Sequence, residues 1–173
     1  MRSAYTSLPP YFSKAVDQEF PAFLDGVVAS SSPGRGTPYL AQFSEFEDRI
    51  RALGSRDQLL AALKSALDDL RTACRIHGVL IGGSVLRSSI KVPRDCDAIV
   101  FYSLLDDIRP EKAVESLLKI SSEVKEIGVD VRLIPVDTNP IDLIKAACYF
   151  SVLFAAERGG VLPKFGTALV ELD

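Results

Sequence analysis

The sequence predicts an α/β protein, a sheet covered by helices. Three features carry that prediction. From residue 79 onward, short apolar segments alternate with longer helix-patterned ones, in the order strand, helix, strand, helix, strand, helix. One short segment, CDAIVFYS (96–103), is apolar at consecutive positions beyond Asp97, as in a strand covered on both faces. The longer segments carry helix punctuation, with Pro110 and Pro140 in the first turn, Asn139 as a cap, and Gly128 and Gly159 as stops.

The elements follow in order. Residues 1–38 read as an N-terminal arm and linker: SLPPYF is turn-rich, SKAVDQEFPAFLDGVVA holds a short helix broken at Pro21, and SSSPGRGTP is linker-like. The domain proper spans 39–173. Ser44 and Glu47 form a capping-box pattern, which predicts a helix from there to about Leu53, stopped by Gly54. Ser55 and Gln58 form a second such pattern. Leu59, Leu60, Leu63, Leu67, Leu70 and Ala73 then recur at helical spacing, predicting an amphipathic helix that ends near Gly78. VLIG is a short strand, SVLRSSI a short helix, CDAIVFYS a strand, 109–128 a helix, VDVRLIPV a strand, 139–160 a helix, and TALVEL a last short strand.

Composition narrows the function. A chain of 173 residues with 47% hydrophobic and 25% charged residues builds one domain with a sizeable core. A net charge of -3 argues against a general nucleic-acid-coating protein. The longest apolar run, AACYFSVLFAA (146–156), is shorter than the roughly 20 residues that span a bilayer and reads as a buried helix. No secretory signal is visible, so the expected location is cytoplasmic, with no membrane partner. Cys74, Cys96 and Cys148 have no CxxC spacing and read as reduced, buried thiols. His77, the single histidine, reads as a helix-end residue.

The chemistry concentrates in LIGGSVLRSSIKVPRDCDAIVFY, residues 80–102. Asp95 and Asp97 are two apart on a strand, so their side chains share a face. Two carboxylates about 4 Å apart repel by about 4 kcal/mol at an effective dielectric near 20. Either one is protonated or a cation sits between them. Magnesium, which takes carboxylate and phosphate oxygens, suits that place. At the other end, Gly82 and Gly83 let backbone approach a ligand closely, and Ser84 opens a helix whose amides form an anion site. A GGS turn or a DxD alone is common, as a tight turn or a solvated strand end. Their conjunction, with a strand on either side, is more specific.

That conjunction resembles the signature of the DNA polymerase beta-like nucleotidyltransferase superfamily. The resemblance covers residues 39–173 and implies a nucleotidyltransferase-like mixed β-sheet flanked by helices. It implies that Gly82, Gly83 and Ser84 hold a nucleoside triphosphate, and that Asp95 and Asp97 bind two magnesium ions. A third carboxylate is expected on a neighbouring strand, where GVDVRLIPV supplies Asp130. The implied activity transfers a nucleoside monophosphate from an NTP to an acceptor hydroxyl and releases pyrophosphate. The sequence departs from the pattern in two ways. Ala98 stands where a bulkier residue is usual, and no separate substrate domain follows Asp130.

Several basic residues join as candidates, each with a plain alternative. Arg87, three residues after Ser84, could reach a triphosphate or be a surface arginine. Lys91 and Arg94 lie in the loop before Asp95. Arg132 shares a face with Asp130 and is a counter-charge to the carboxylates. Lys164 is a candidate phosphate contact or a solvated loop lysine. Asp106 and Asp107 precede a helix and carry no further signal. Two rival functions stand beside the enzyme. One is a non-catalytic nucleotide-binding or interaction module. The other is an antitoxin-like minimal nucleotidyltransferase acting on a small helical partner protein. The acceptor, whether a protein, an RNA end or a small molecule, is not specified by the sequence.

Overall fold

The computed structural model describes residues 11–26, 33–156 and 165–172. In chain order the elements are α1 (Tyr11–Asp17), β1 (Tyr39–Gln42), α2 (Phe43–Arg51), α3 (Asp57–Leu70), β2 (Cys74–Gly82), β3 (Cys96–Leu104), α4 (Pro110–Lys125), β4 (Val129–Pro135), α5 (Pro140–Ala155) and β5 (Ala168–Glu171). The strands form one sheet in the order β1-β5-β2-β3-β4. The β1–β5 and β3–β4 pairs are parallel, while β2 runs antiparallel to both of its neighbours. The sheet is therefore mixed, and the expected α/β class is what the chain adopts.

Alternation along the strands sorts the two faces. Val79, Ile81, Cys96, Ala98, Val100, Val129 and Val131 point into the main core, against Leu60, Leu63 and Leu67 of α3 and Leu117 and Val124 of α4. Leu80 and Ile99, cross-strand partners, are as deeply buried but face the other way. That second face carries α5, whose Phe154 lies against Gly82 and whose Phe150 lies beneath the Arg132 guanidinium. Helix α4 is the crossover that makes β3 and β4 parallel. Its start at Pro110 and the cap of α5, where the Ile141 amide donates to Asn139 Oδ1 at 2.9 Å, follow the sequence signals. The stop expected at Gly159 lies outside the described residues.

Several expectations need correction. The helix expected to reach Gly78 ends at Leu70, and Cys74–Gly82 is strand. The ladder with β3 shifts between Ile76 and Gly78. His77 falls in that irregularity, with Nε2 2.9 Å from Ser103 Oγ, rather than at a helix end. The irregularity interrupts the alternation that would have marked a strand. Neither capping box forms as expected: Ser44 lies inside α2, and α3 is preceded by Arg56, with Ser55 at φ 51°.

The boundary at residue 38 marks no break in the core. Phe12, Ala15, Val16, Phe20 and Leu24 are buried in the same cluster as the sheet. Phe20 packs edge-on against Phe12 and Tyr39, and Tyr39 donates its hydroxyl proton to the Pro21 carbonyl at 2.7 Å. The chain reverses after α1 through Glu19 and Phe20, both at positive φ.

Helix α5 is not the buried helix expected. Of its residues only Ala155 is buried, and Ile141, Ile144, Tyr149, Val152 and Leu153 are exposed. It covers one part of the second face, lying against β2 and β4. Cys148, on this helix, is correspondingly exposed, whereas Cys74 and Cys96 are buried. No described helix is long and apolar enough to cross a membrane.

Candidate functional site

The register of three adjacent strands brings the candidate residues together. Gly82 at the end of β2 pairs with Asp97 on β3, and Asp97 pairs with Asp130 on β4. Directly paired residues project to the same side of a sheet. The row Gly82–Asp97–Asp130 therefore lies on the second face, beside α5. Asp95 sits just ahead of β3, and the intervening Cys96 is buried on the core side. Burial holds the Cys96 thiol well above its ordinary value, and the charges of Asp97 and Asp95 push it the same way.

Gly83 is where the carboxylates of Asp95 and Asp97 come near the turn. Its φ of +88° favours glycine, and a Cβ there would stand 3.0 Å from Asp97 Oδ2 and 3.2 Å from Asp95 Oδ1. Gly82 is required from the other side, since its Cβ would come within 2.7 Å of Phe154. Gly128, at φ +94°, lies against the Arg94 carbonyl, and its own carbonyl accepts the Cys96 amide at 2.9 Å. This contact sets the start of β4, and with it Asp130, beside the start of β3.

Ser84 ties the turn to Asp95. Its amide donates to Asp95 Oδ1 at 2.7 Å, and the Val85 amide donates to the Asp95 carbonyl at 3.1 Å. Its hydroxyl accepts from the Arg94 and Asp95 amides at 2.9 and 3.2 Å. The helix expected at 84–90 is a single 3₁₀ turn, Ser84–Leu86, with Arg87 already extended. The free amides expected there are thus already given to Asp95 at Ser84 and Val85.

The basic candidates divide. Arg132 Nη2 lies 3.3 Å from Asp130 Oδ2 and the guanidinium stands 5.5 Å from the centre of the Phe150 ring. It is the counter-charge expected. Arg87 stacks on Phe165, 3.8 Å from the ring centre. Lys91 and Arg94 are exposed on the loop before Asp95. Lys164 lies outside the described residues.

Arg56 escaped the sequence reading. It is 1% exposed and donates to five carbonyls. Nε reaches Val85 O at 2.9 Å, and Nη2 reaches Arg87 O at 2.7 Å and Ile90 O at 3.0 Å. Nη1 reaches Leu53 O at 3.0 Å and also Gly54 O. Burial lowers its pKa from the ordinary arginine value. One signal was available: a cation just ahead of a helix start opposes the helix dipole, so another interaction must keep it there.

Hard oxygen donors of this kind suit magnesium. Among the described residues, no three His, Cys, Asp or Glu side chains are gathered closely enough to hold a metal ion. The three aspartates lie at the same end of the sheet, where β3 and β4 begin, with Asp130 held by Arg132 and Asp95 by Ser84. A model described as a family of unknown function, DUF6932, matches residues 7–169. No curated protein matches the chain, and no solved structure does.

Proposed function

We propose that this chain, which belongs to the DUF6932 family, is a magnesium-dependent nucleotidyltransferase. It would move a nucleoside monophosphate from a nucleoside triphosphate to an acceptor hydroxyl and release pyrophosphate. One observation carries the reading: Gly82, Asp97 and Asp130 stand in one row across three strands, with Asp95 joined to the adjoining turn by Ser84.

Asp95, Asp97 and Asp130 are the residues that would hold the ions, their carboxylates drawing together around the cations from the wider spacing they have in this structure. Magnesium bound there supplies positive charge that stabilises the attacking and leaving oxygens of an in-line displacement. Asp97 and Asp95, which both approach Gly83, would need such a charge between them once a triphosphate arrives. Asp130 would take the acceptor's proton as the new oxygen–phosphorus bond forms and the bond to pyrophosphate breaks. For that, Arg132 swings off Asp130, keeping its place over Phe150 or turning toward the phosphates. Arg87, Lys91 and Arg94 supply positive charge on the turn and loop that flank the row.

A second reading is favoured by three contacts. Arg132 already neutralises Asp130, and the Ser84 and Val85 amides already serve Asp95. A site satisfied by its own groups suits a non-catalytic nucleotide-binding or interaction module. Incubation with each α-labelled nucleotide, magnesium and cell lysate separates the two. Label on a protein, an RNA end or a small molecule supports transfer and names the acceptor, including a partner protein of the antitoxin kind. Tight magnesium-dependent nucleotide binding with no labelled product supports the module.

A further inference from the structure

Arg56 is a fully charged side chain in a buried place, and its observed partners are backbone carbonyls. Those partners fall into two groups. Leu53 and Gly54 are its own neighbours, at the end of α2. Val85, Arg87 and Ile90 lie 29 to 34 residues away, on the segment that follows the glycine turn. The contacts to that segment are made by both Nε and Nη2, so the planar fork fixes its direction as well as its distance.

The bonds continue from there to the carboxylates. Val85, whose carbonyl Arg56 holds, gives its own amide to the Asp95 carbonyl. Ser84, its neighbour, gives its amide to Asp95 Oδ1 and takes the Arg94 and Asp95 amides on its hydroxyl. An aliphatic side chain would fill the same space without burying a charge. What it could not do is hold three specified carbonyls of an otherwise irregular segment.

We propose that Arg56 is the positioning residue of the candidate site: it fixes the 85–90 segment and, through Ser84 and Val85, the placement of Asp95. That this placement serves a nucleotide rests on the function proposed above; the hold of Arg56 on the segment does not.

The test is residue-resolved amide exchange by NMR on the full chain, comparing wild type with Arg56→Lys. Lysine keeps the charge but has three donors and no fork. The Ser84 and Val85 amides should exchange about tenfold faster or more, as expected for a local opening, while Leu80 and Val100 in the sheet change much less. Unchanged exchange at Ser84 and Val85, or equal acceleration everywhere, overturns the proposal. If Arg56→Lys does not fold, wild type alone decides. Over a series of low denaturant concentrations, the Arg56 Nε proton should share one opening free energy with the Ser84 and Val85 amides. Loop amides that open while the Arg56 proton stays protected overturn it equally. Calorimetry with magnesium and each nucleoside triphosphate, on the same samples, keeps the two ideas apart. Weaker binding in Arg56→Lys extends the positioning to the ligand. Absence of binding in wild type sinks the nucleotide reading and leaves the exchange result to judge Arg56.

Discussion

Asp97 and Asp130 are direct partners in the parallel ladder between β3 and β4, so their side chains leave the same face of the sheet side by side. The sequence separates them by a whole helix, and only the α4 crossover brings them into register. Their surroundings differ. Asp97 occupies the space where a Gly83 side chain would begin, whereas Asp130 faces Arg132, whose guanidinium lies over Phe150 of α5.

That difference predicts an asymmetry. Asp97 stands where the triphosphate and its ion would sit, so Asp97→Asn should weaken magnesium-dependent nucleotide binding and transfer together. Asp130→Asn should leave binding largely intact and lower transfer at least about a hundredfold, since even outer partners of metal sites cost about 10- to 100-fold. Labelled-nucleotide transfer and calorimetry on the same variants read both effects. Equal binding loss in the two variants would contradict this division of roles.

Gly83 and Gly54 form a matched pair for testing the turn. Both have positive φ, +88° and +79°, but a Cβ at Gly54 meets nothing within 4 Å. Gly54→Ala should therefore cost only the backbone strain, about 1–2 kcal/mol. Gly83→Ala carries that strain and also crowds two carboxylates, so it should unfold at lower denaturant than Gly54→Ala. It should also weaken magnesium-nucleotide binding more than Gly54→Ala does. Denaturant midpoints and calorimetry check the two halves separately.

What was legible in the sequence was what local chemistry announces. Pro110, Asn139 and Pro140 mark helix starts because their effect acts within one turn. Asp95, Asp97 and the glycine turn were found because they lie on one short stretch. The first half of β2 was hidden because the ladder irregularity at His77 breaks its alternation. Arg56 was hidden because its distant partners are backbone carbonyls, which leave no mark in side-chain pattern. The buried role of Phe12 and Phe20 was hidden by turn-rich, linker-like neighbours. Helix α5 misled in the other direction. Its composition matches a core helix, but the sheet gives it one face to cover and its far side stays exposed.

The cysteines test that last placement. Cys148 is exposed, while burial pushes the Cys74 thiol up to about 11 and the Cys96 thiol higher still. The thiolate is the reactive form, so both buried thiols are slow for reasons of access and of ionisation. Near neutral pH, a thiol-disulfide reagent should modify Cys148 rapidly in the native protein, and all three cysteines only after denaturation. Mass spectrometry of the labelled peptides identifies the sites. Rapid native labelling of Cys96 would place the start of β3 at the surface and undo the site geometry.

Tyr39 joins the N-terminal segment to the sheet, and its ionisation supplies the last prediction. The side chain is fully buried, its hydroxyl donates to the Pro21 carbonyl, and burial pushes its pKa from 10.0 to about 12. Below pH 10 the phenol is protonated in both folded and unfolded chains, so its hydrogen bond and burial count in full. Between pH 10 and about 12 the unfolded chain loses the proton while the folded chain keeps it, which favours unfolding. Stability should therefore fall through this window by up to about 2–3 kcal/mol more in wild type than in Tyr39→Phe. Tyr39→Phe should itself be less stable at neutral pH, by about 1 kcal/mol, because it leaves the Pro21 carbonyl without that donor. Urea unfolding of both proteins from pH 8 to 12 measures the difference, with the other titrating groups common to both. Parallel curves across the window would mean that Tyr39 is not buried against the segment from Phe12 to Pro21, and that the arm is not part of the core.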